Sequence, residues 1–99
     1  MRRGTTPTHE FTTDVDLSEA TKIYITYKQG GKVILEKELS DITVTPTKLT
    51  VELTQEDTLA FGVSKSVEIQ IRALMDTGEA IASNVITTTA QKILKEGVI

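Results

Sequence analysis

The sequence predicts an all-β protein, an immunoglobulin-like Greek-key β-sandwich of about seven strands with one or two short helical turns. Three observations predict this class. Apolar and polar residues alternate along most of the chain, which is the period of a half-buried strand. Turn signals interrupt the alternation about every 8 to 12 residues, as in sandwiches. A connection with helical character precedes the last hairpin. We expect one domain over residues 1–99, with an N-terminal arm (1–7) and a C-terminal tail (90–99).

The last hairpin, residues 67–89, is the element around which we expect the other strands to assemble. Its first strand is half-buried, because Glu68, Gln70 and Arg72 separate apolar residues at every second position. Asp76-Thr77-Gly78-Glu79 predicts a turn, and Ala80 to Thr89 predicts one returning strand. A two-stranded ribbon is marginal in water, so other strands must cover its apolar face. That face comprises Val67, Ile69, Ile71, Ala73 and Met75.

The first part of the chain predicts one strand and one helical turn. The strand covers about Thr8 to Thr13, where His9 and Phe11 lie on one side. Asp16 can cap a single helical turn, because Glu19 follows three residues later as in a capping box.

Two hairpins follow. The first joins Lys22–Gln29 to Lys32–Leu39 through Gly30-Gly31, which supplies the positive φ of a tight turn. In its return strand Val33, Leu35 and Leu39 are expected on one face and Ile34 on the other. The second hairpin joins 42–45 to 48–54 around Pro46-Thr47, with Leu49, Val51 and Leu53 toward the core.

Two segments change to a helical pattern. Gln55 to Phe61 predicts a short helix, with Thr54 as its cap and Gly62 as its end. Ala90 to Glu96 predicts one or two further helical turns ending at Gly97.

Composition excludes several classes of function. A net charge of −3, with lysines interleaved among acids, argues against electrostatic binding of nucleic acid. No apolar run approaches the roughly 20 residues of a membrane helix, so we expect a soluble protein made in the cytoplasm without a membrane partner. The absence of cysteine excludes disulfides and thiolate metal sites.

Asp76-Thr77-Gly78 is the strongest candidate for catalysis. Retroviral-type aspartic proteases present their catalytic carboxylate in this tripeptide after an apolar strand, and two subunits each donate one Asp. In those enzymes the tripeptide lies near the start and a Gly-rich flap follows, whereas only 21 residues follow Gly78 here. We therefore interpret the segment as a turn and keep the protease as a remote alternative.

No other residue pattern predicts a site. Asp14-Val15-Asp16-Leu17-Ser18 begins like a calcium loop, but Glu19 and Ile25 occupy the positions that require Gly and Glu. His9 is the sole histidine, so we interpret it as a surface or edge-strand residue. We assign no catalytic, cofactor-binding or metal-binding residue and expect no cofactor.

Five segments that together span nearly all of the chain carry a resemblance to known proteins. They are Arg2-Arg3-Gly4-Thr5-Thr6-Pro7-Thr8, Lys28 to Leu39, Leu53 to Leu59, Val67 to Arg72 and Ile93 to Ile99. In these segments the chain resembles small uncharacterised proteins of phages and prophages of Gram-positive, often gut, bacteria. Its strand pattern is similar to that of the immunoglobulin-like N-terminal domains of phage baseplate proteins.

This resemblance implies a non-enzymatic structural or adaptor protein of a tail or baseplate, located in the virion. Its partners would be further copies or other virion proteins, and contact would be made through strand edges, the arm and the apolar tail. Contacts between further copies would form a homo-oligomer. The alternative is a module that binds carbohydrate or protein on the host surface, for which the aromatic candidates are Phe11, Tyr24, Tyr27 and Phe61.

Overall fold

The computed structural model describes residues 1–63 and 65–99, which form eight strands, one α-helix and one 3-10 turn. The 3-10 turn is Leu39–Asp41 and the helix α1 is Gln55–Leu59. The strands are β1 Thr8–Thr12, β2 Ala20–Gln29, β3 Lys32–Glu38, β4 Ile42–Thr45, β5 Lys48–Glu52, β6 Ser66–Met75, β7 Ala80–Ala82 and β8 Ile86–Thr89.

The strands form two antiparallel sheets. The smaller sheet has the order β1-β5-β4. The larger has the order β3-β2-β6, and both β7 and β8 pair with the remaining edge of β6. This is the strand order of an immunoglobulin sandwich, in which strands B, E and D form one sheet and C′, C, F and G the other. The predicted fold class is confirmed.

The core lies between the two sheets and consists of the residues that alternate inward. Ile23, Ile25 and Tyr27 of β2 are fully buried, as the period of the sequence predicts. The other buried apolar residues are Leu17, Ile42, Leu49, Val51, Leu53, Phe61, Val67, Ile69, Ile71, Ala73 and Ala90. Met75 is partly buried against them.

Helix α1 starts where the sequence predicts. The Thr54 hydroxyl accepts a bond from the Asp57 amide at 3.1 Å, and the Asp57 carboxylate accepts one from the Thr54 amide at 2.9 Å. This reciprocal capping box satisfies two amides that the helix itself leaves unpaired. The helix ends at Leu59, two residues before the predicted end.

The helical turn predicted after Asp16 is wrong. Asp16 instead accepts a bond from the Ser18 amide at 2.9 Å, and the Ala20 amide donates to the Leu17 carbonyl at 3.1 Å. The Asp side chain therefore closes a local turn instead of capping a helix. This turn directs Leu17 into the core.

The predicted faces of β3 are wrong at Val33. Tyr27 pairs with Leu35, but its neighbour Lys28 pairs with Val33, so Ile34 is an extra residue in β3. Such a bulge shifts the alternation by one position. Val33 is consequently exposed, whereas Ile34 packs partly against the core.

The returning strand predicted over Ala80 to Thr89 is broken in two. Ile69 pairs with Ile86 and Arg72 pairs with Ala82, so two residues of β6 face three of the partner. The Ser83 hydroxyl accepts a bond from the Ile71 amide at 3.0 Å in place of a backbone carbonyl. The hydroxyl thereby bridges the gap between β7 and β8.

The helical turns predicted over Ala90 to Glu96 are wrong, because the arm pairs with this segment in an extended conformation. Arg2 and Gln91 form a parallel bridge. The Gln91 amide donates to the Met1 carbonyl at 2.9 Å, and the Arg3 amide donates to the Gln91 carbonyl at 3.1 Å. These bonds to another segment replace the internal bonds of a helix. The arm is therefore docked on the tail.

Candidate interaction surface

A groove opens between the two sheets along the unpaired edge of β1. It has a volume of about 600 Å³, with β1 and the loop after it on one side and β7 and β8 on the other. Ile71 and Ala73 of β6, both buried, are part of its lining. Further apolar lining is given by Phe11, Val15, Leu17, Ile81, Ala82 and Ile86.

The backbone of β1 is available on the groove side. The Leu53 amide donates to the Pro7 carbonyl at 3.0 Å and the Thr13 amide to the Thr47 carbonyl at 2.9 Å, at the two ends of the β1–β5 pairing. In an antiparallel pair such bonds recur at every second residue. The backbone groups of residues 9 and 11 therefore face β5, and those of 8, 10 and 12 face away from it. No described strand pairs with that outer edge.

The rim of the groove is partly apolar and its charged members are acidic. Val15 and Ile86 are 47% and 43% exposed. The charged side chains that line the groove are Glu10 and Asp14. Thr13 also lines it, and the buried Thr13 hydroxyl has no hydrogen-bond partner among the described residues. The groove thus combines free backbone groups, apolar surface and negative charge.

The tail carries the most exposed apolar residues of the described chain. Leu94 is 93% exposed, Ile99 88% and Val98 55%. The tail is held by bonds near the surface: the Ile99 amide donates to the Gln55 side-chain oxygen at 2.9 Å, and the Arg3 guanidinium pairs with Glu96 at 2.9 Å. Its backbone is therefore anchored while its apolar side chains face solvent.

Arm and tail approach each other most closely at Gly4. Its φ is +73°, a conformation that favours glycine. A Cβ at this position would lie 2.8 Å from Cδ1 of Ile93. The positive φ therefore favours glycine here, and a larger residue would in addition require the Ile93 side chain to move.

His9 lies on edge strand β1 and reaches into the interior. Its Nδ1 is 2.7 Å from the Tyr27 hydroxyl, and its ring lies against the rings of Phe11 and Tyr27. Partial burial lowers the pKa of His9 below 6.5, and the positive charge of the N-terminal amino group lowers it further. The edge-strand position was predicted, but the bond to Tyr27 was not.

A partly buried ion pair lies near Tyr27. Lys37 Nζ is 2.9 Å from Asp57 Oδ2, and the two side chains are only 15% and 17% exposed. Burial opposes ionisation of Asp57, but bonds from Lys37 and Thr54 outweigh it and lower its pKa. Burial, followed by the negative charge of Asp57, raises the pKa of Tyr27. These groups stabilise one another inside the sandwich.

Asp76-Thr77-Gly78 forms the turn between β6 and β7, as predicted. The Gly78 amide donates to the Met75 carbonyl at 2.9 Å, and Gly78 has a φ of +90°. The Met75 amide donates to the Glu79 carbonyl at 2.8 Å, which closes the hairpin. Asp76 is exposed at the tip.

A second, shallower concavity lies on the outer face of the larger sheet. Its volume is about 370 Å³, and it is lined by Tyr24 beside Lys22, Glu38 and Ser40. Tyr24 is half-buried, whereas Tyr27 and Phe61 are buried in the core. Of the predicted aromatic candidates, Tyr24 and Phe11 therefore keep an accessible surface.

Two kinds of feature are absent from residues 1–63 and 65–99. No helix in 1–63 or 65–99 is long and apolar enough to span a membrane. Within the same ranges, no three His, Asp or Glu side chains are grouped closely enough to hold a metal ion. Asp14 and Asp16, which the calcium pattern includes, belong to no such group.

One buried polar contact was not predicted. Gln29 ends the inward-facing series of β2 and is 7% exposed. Its side-chain oxygen accepts from the Gly62 amide at 2.6 Å, and its nitrogen donates to the Gly62 carbonyl at 2.8 Å. The signal was an inward position occupied by an amide, which requires partners when buried.

Comparison with known proteins supplies little beyond these observations. No family model and no curated protein matches the chain. A solved structure described as "Structure of the V domain of amphioxus IgVJ-C2" aligns with a TM-score of 0.39 at 13% identity. The alignment covers 94% of this chain and 97% of that one. The immunoglobulin-like β-sandwich fold is given by the strand order of the chain itself.

Proposed function

We propose that the protein is a non-enzymatic structural or adaptor component of a phage tail or baseplate that acts through protein–protein contacts. The groove beside the unpaired edge of β1 carries this proposal. An edge strand with free backbone groups can accept a strand from another chain, and neighbouring apolar pockets select the side chains. The virion setting is supported by the likeness of five segments to phage and prophage proteins.

Asp76 has a structural role in this proposal. Its backbone amide donates to the Glu19 carbonyl at 3.1 Å, and its side chain is exposed at a hairpin tip. An aspartic protease would require two such carboxylates to share a proton. Cleavage of a peptide library at pH 5 that disappears in Asp76→Asn would contradict the non-enzymatic role.

The test is to quantify the protein by mass spectrometry in purified particles of a phage that encodes it. We expect a fixed ratio to a known tail protein, and defective tails or baseplates when its gene is deleted. Supplying the wild-type gene in trans should restore normal particles. Absence of the protein from particles, together with normal particles after deletion, would overturn the proposal.

A second candidate function is host-surface binding at the Tyr24 concavity. An accessible aromatic side chain beside Lys22, Glu38 and Ser40 offers stacking and hydrogen bonding to a sugar. On this view Tyr24→Ala would leave particle composition unchanged but abolish binding on a glycan array. Loss of incorporation without loss of glycan binding would support the structural role.

A further inference from the structure

We infer that residues 91–99 of one copy bind in the β1 groove of a second copy as an added strand. These residues are the C-terminal tail without Ala90, which is buried in the core of its own copy. This inference rests on the proposed role in protein–protein contact and names its two surfaces. Both surfaces are present on the same chain. The interaction would therefore join copies head to tail.

The apolar surfaces of groove and tail complement each other. The groove contains buried Ile71 and Ala73 and is open to solvent at Val15. The tail presents Leu94 and Val98, which are 93% and 55% exposed on its own copy and, being four residues apart, lie on the same face of an added strand. Inserting these side chains would remove apolar surface from water on both partners, which favours association.

The charges also complement each other. The charged residues lining the groove are Glu10 and Asp14. The tail carries two lysines, Lys92 and Lys95, and one glutamate, Glu96, all exposed, so its side chains have a net charge of +1. Placing lysines beside a rim that is acidic steers the tail toward this groove.

The charge of Glu10 favours pairing of β1 with a tail over pairing of β1 with the β1 strand of a second copy. A symmetric pair of antiparallel β1 strands centred on Glu10 would place two Glu10 side chains directly opposite each other. Like charges in that position are destabilising. A tail strand carries a single acidic side chain, Glu96, so a register that keeps it away from Glu10 avoids the clash, and the strand can bond the free backbone groups of residues 8, 10 and 12.

The resulting interface is heterologous, because each copy donates one surface and accepts at another. Such contacts produce rings if the rotation closes and open filaments if it does not. Undocking the tail breaks the two backbone bonds of Gln91 to Met1 and Arg3, together with the exposed Arg2–Lys92, Ile99–Gln55 and Arg3–Glu96 contacts. The backbone bonds that the added strand makes with residues 8, 10 and 12 of β1 offset those lost to the arm, and the exposed ion pair costs little to break.

The test separates donor from acceptor. Leu94→Asp disables the tail, and Val15→Arg blocks the groove; both positions are solvent-accessible, so both variants should fold. We expect the wild-type chain to associate with increasing concentration in sedimentation velocity, and each variant to weaken association about tenfold or more. An equimolar mixture should form a 1:1 dimer and stop there, because it contains one working tail and one working groove.

Val33→Asp is the matched control. Val33 is 54% exposed on β3 and belongs to neither surface, so this variant should associate like wild type. Circular dichroism checks that all variants fold. A strictly monomeric wild type, or a mixture that forms no dimer, would overturn the inference. Incorporation of such a monomeric protein into phage particles would leave the proposed function standing.

Discussion

At the scale of single residues, Gln29 connects two parts of the chain that are distant in sequence. It bonds to both the amide and the carbonyl of Gly62, and its nitrogen also donates to the Lys65 carbonyl at 3.2 Å. The loop after α1 is thereby tied to the end of β2. The Gln29 side chain is buried, whereas Gly62 and Lys65 are exposed, so these bonds satisfy the buried amide at the end of β2.

We expect Gln29→Ala to lower the free energy of unfolding by about 1 kcal/mol or more, because it removes the three hydrogen bonds of the Gln29 side chain. Chemical denaturation measures this change. Lys28→Ala is the control, since Lys28 is the exposed neighbour on the same strand. Equal stability of the two variants would show that the Gln29 bonds add nothing.

His9 makes stability depend on pH. Its pKa in the folded protein is lower than its ordinary value of 6.5, because burial disfavours the charged ring. Around and below pH 6.5 the unfolded chain therefore binds more protons at His9 than the folded protein does. The contribution of His9 to the free energy of unfolding should be greatest above pH 6.5 and fall as the pH decreases through this value. Denaturation midpoints measured between pH 8 and pH 5 should show this fall.

His9→Gln is the control for the pH effect, because it keeps a polar side chain that does not titrate. Its stability should change less between pH 8 and pH 5 than that of wild type. The lowered pKa of Asp57 acts in a different range: its contribution is lost only as pH falls below the ordinary value of 3.8. Identical pH profiles of wild type and His9→Gln would contradict the assignment.

The residue patterns predicted which side chains are buried, but not which groups those side chains contact. The alternation of β2 places Gln29 inward beside Tyr27 and Ile25, and all three are buried. Which groups lie opposite depends on how the two sheets stack, and that is set by the whole chain. The Lys37–Asp57 pair was missed for the same reason, since its members come from a strand and a helix cap that are distant in sequence.

At the scale of elements, the Ser83 bulge determines the shape of the groove. It ends β7, and Ser83 and Asn84 lie in the groove lining between β7 and β8. The Ser83 hydroxyl accepts from Ile71 and donates to the Asn84 carbonyl at 2.8 Å. One side chain therefore holds the two halves of the strand in place.

We expect Ser83→Ala to expose the Ile71 amide, because alanine removes the acceptor of its hydrogen bond. Hydrogen exchange at Ile71 should accelerate, while exchange at Ile25 in the adjacent strand should not. Stability should fall by about 1 kcal/mol or more, as for an unpaired buried donor. Thr87→Ala, an exposed change in β8, serves as the control. Unchanged protection of Ile71 would show that the hydroxyl is dispensable.

The presence of the strands was predictable from the sequence, whereas the positions of the β-bulges were not. Turn residues such as Gly30-Gly31 and Pro46-Thr47 separate the strands as expected. The extra residues at Ile34 and Ser83 have ordinary strand neighbours, so the local pattern does not reveal them. Their positions are set by the pairing with Tyr27 and Ile71 on the partner strands.

At the scale of the whole molecule, the N-terminal arm and the C-terminal tail hold each other in place through backbone hydrogen bonds. The arm contributes the Met1 carbonyl and the Arg3 amide, and the tail contributes both backbone groups of Gln91. The Met1 amino group also donates to the Thr89 carbonyl at 2.9 Å. Neither segment has these partners when the other is removed.

Deleting residues 1–3 should therefore release the tail without opening the core. Hydrogen exchange at Gln91 should become fast, while Ile25 and Ile71 should stay protected, because local openings need not involve the whole domain. Arg3→Ala is the control, since it keeps the backbone bonds. Loss of protection throughout the core would show that the arm is part of the central fold.

The global architecture was predictable because alternation along successive strands demands two facing sheets. The groove was not predictable, because it lies between the outer edge of β1, which has no partner strand among the described residues, and the strands of the other sheet that face this edge. Residues such as Val15 and Ile86 alternate like core residues, yet they are partly exposed at the rim. Sequence alone does not distinguish a sealed rim from an open one.

The hairpin tip at Gly30-Gly31 offers a practical route into this molecule. Both glycines have positive φ, and a Cβ on either would meet no atom within 4 Å. Lengthening a surface loop raises the entropy of closure only slowly. A short epitope or a peptide tag for a dye, placed between these residues, would therefore provide a handle on the protein that leaves its arm, tail and groove unaltered.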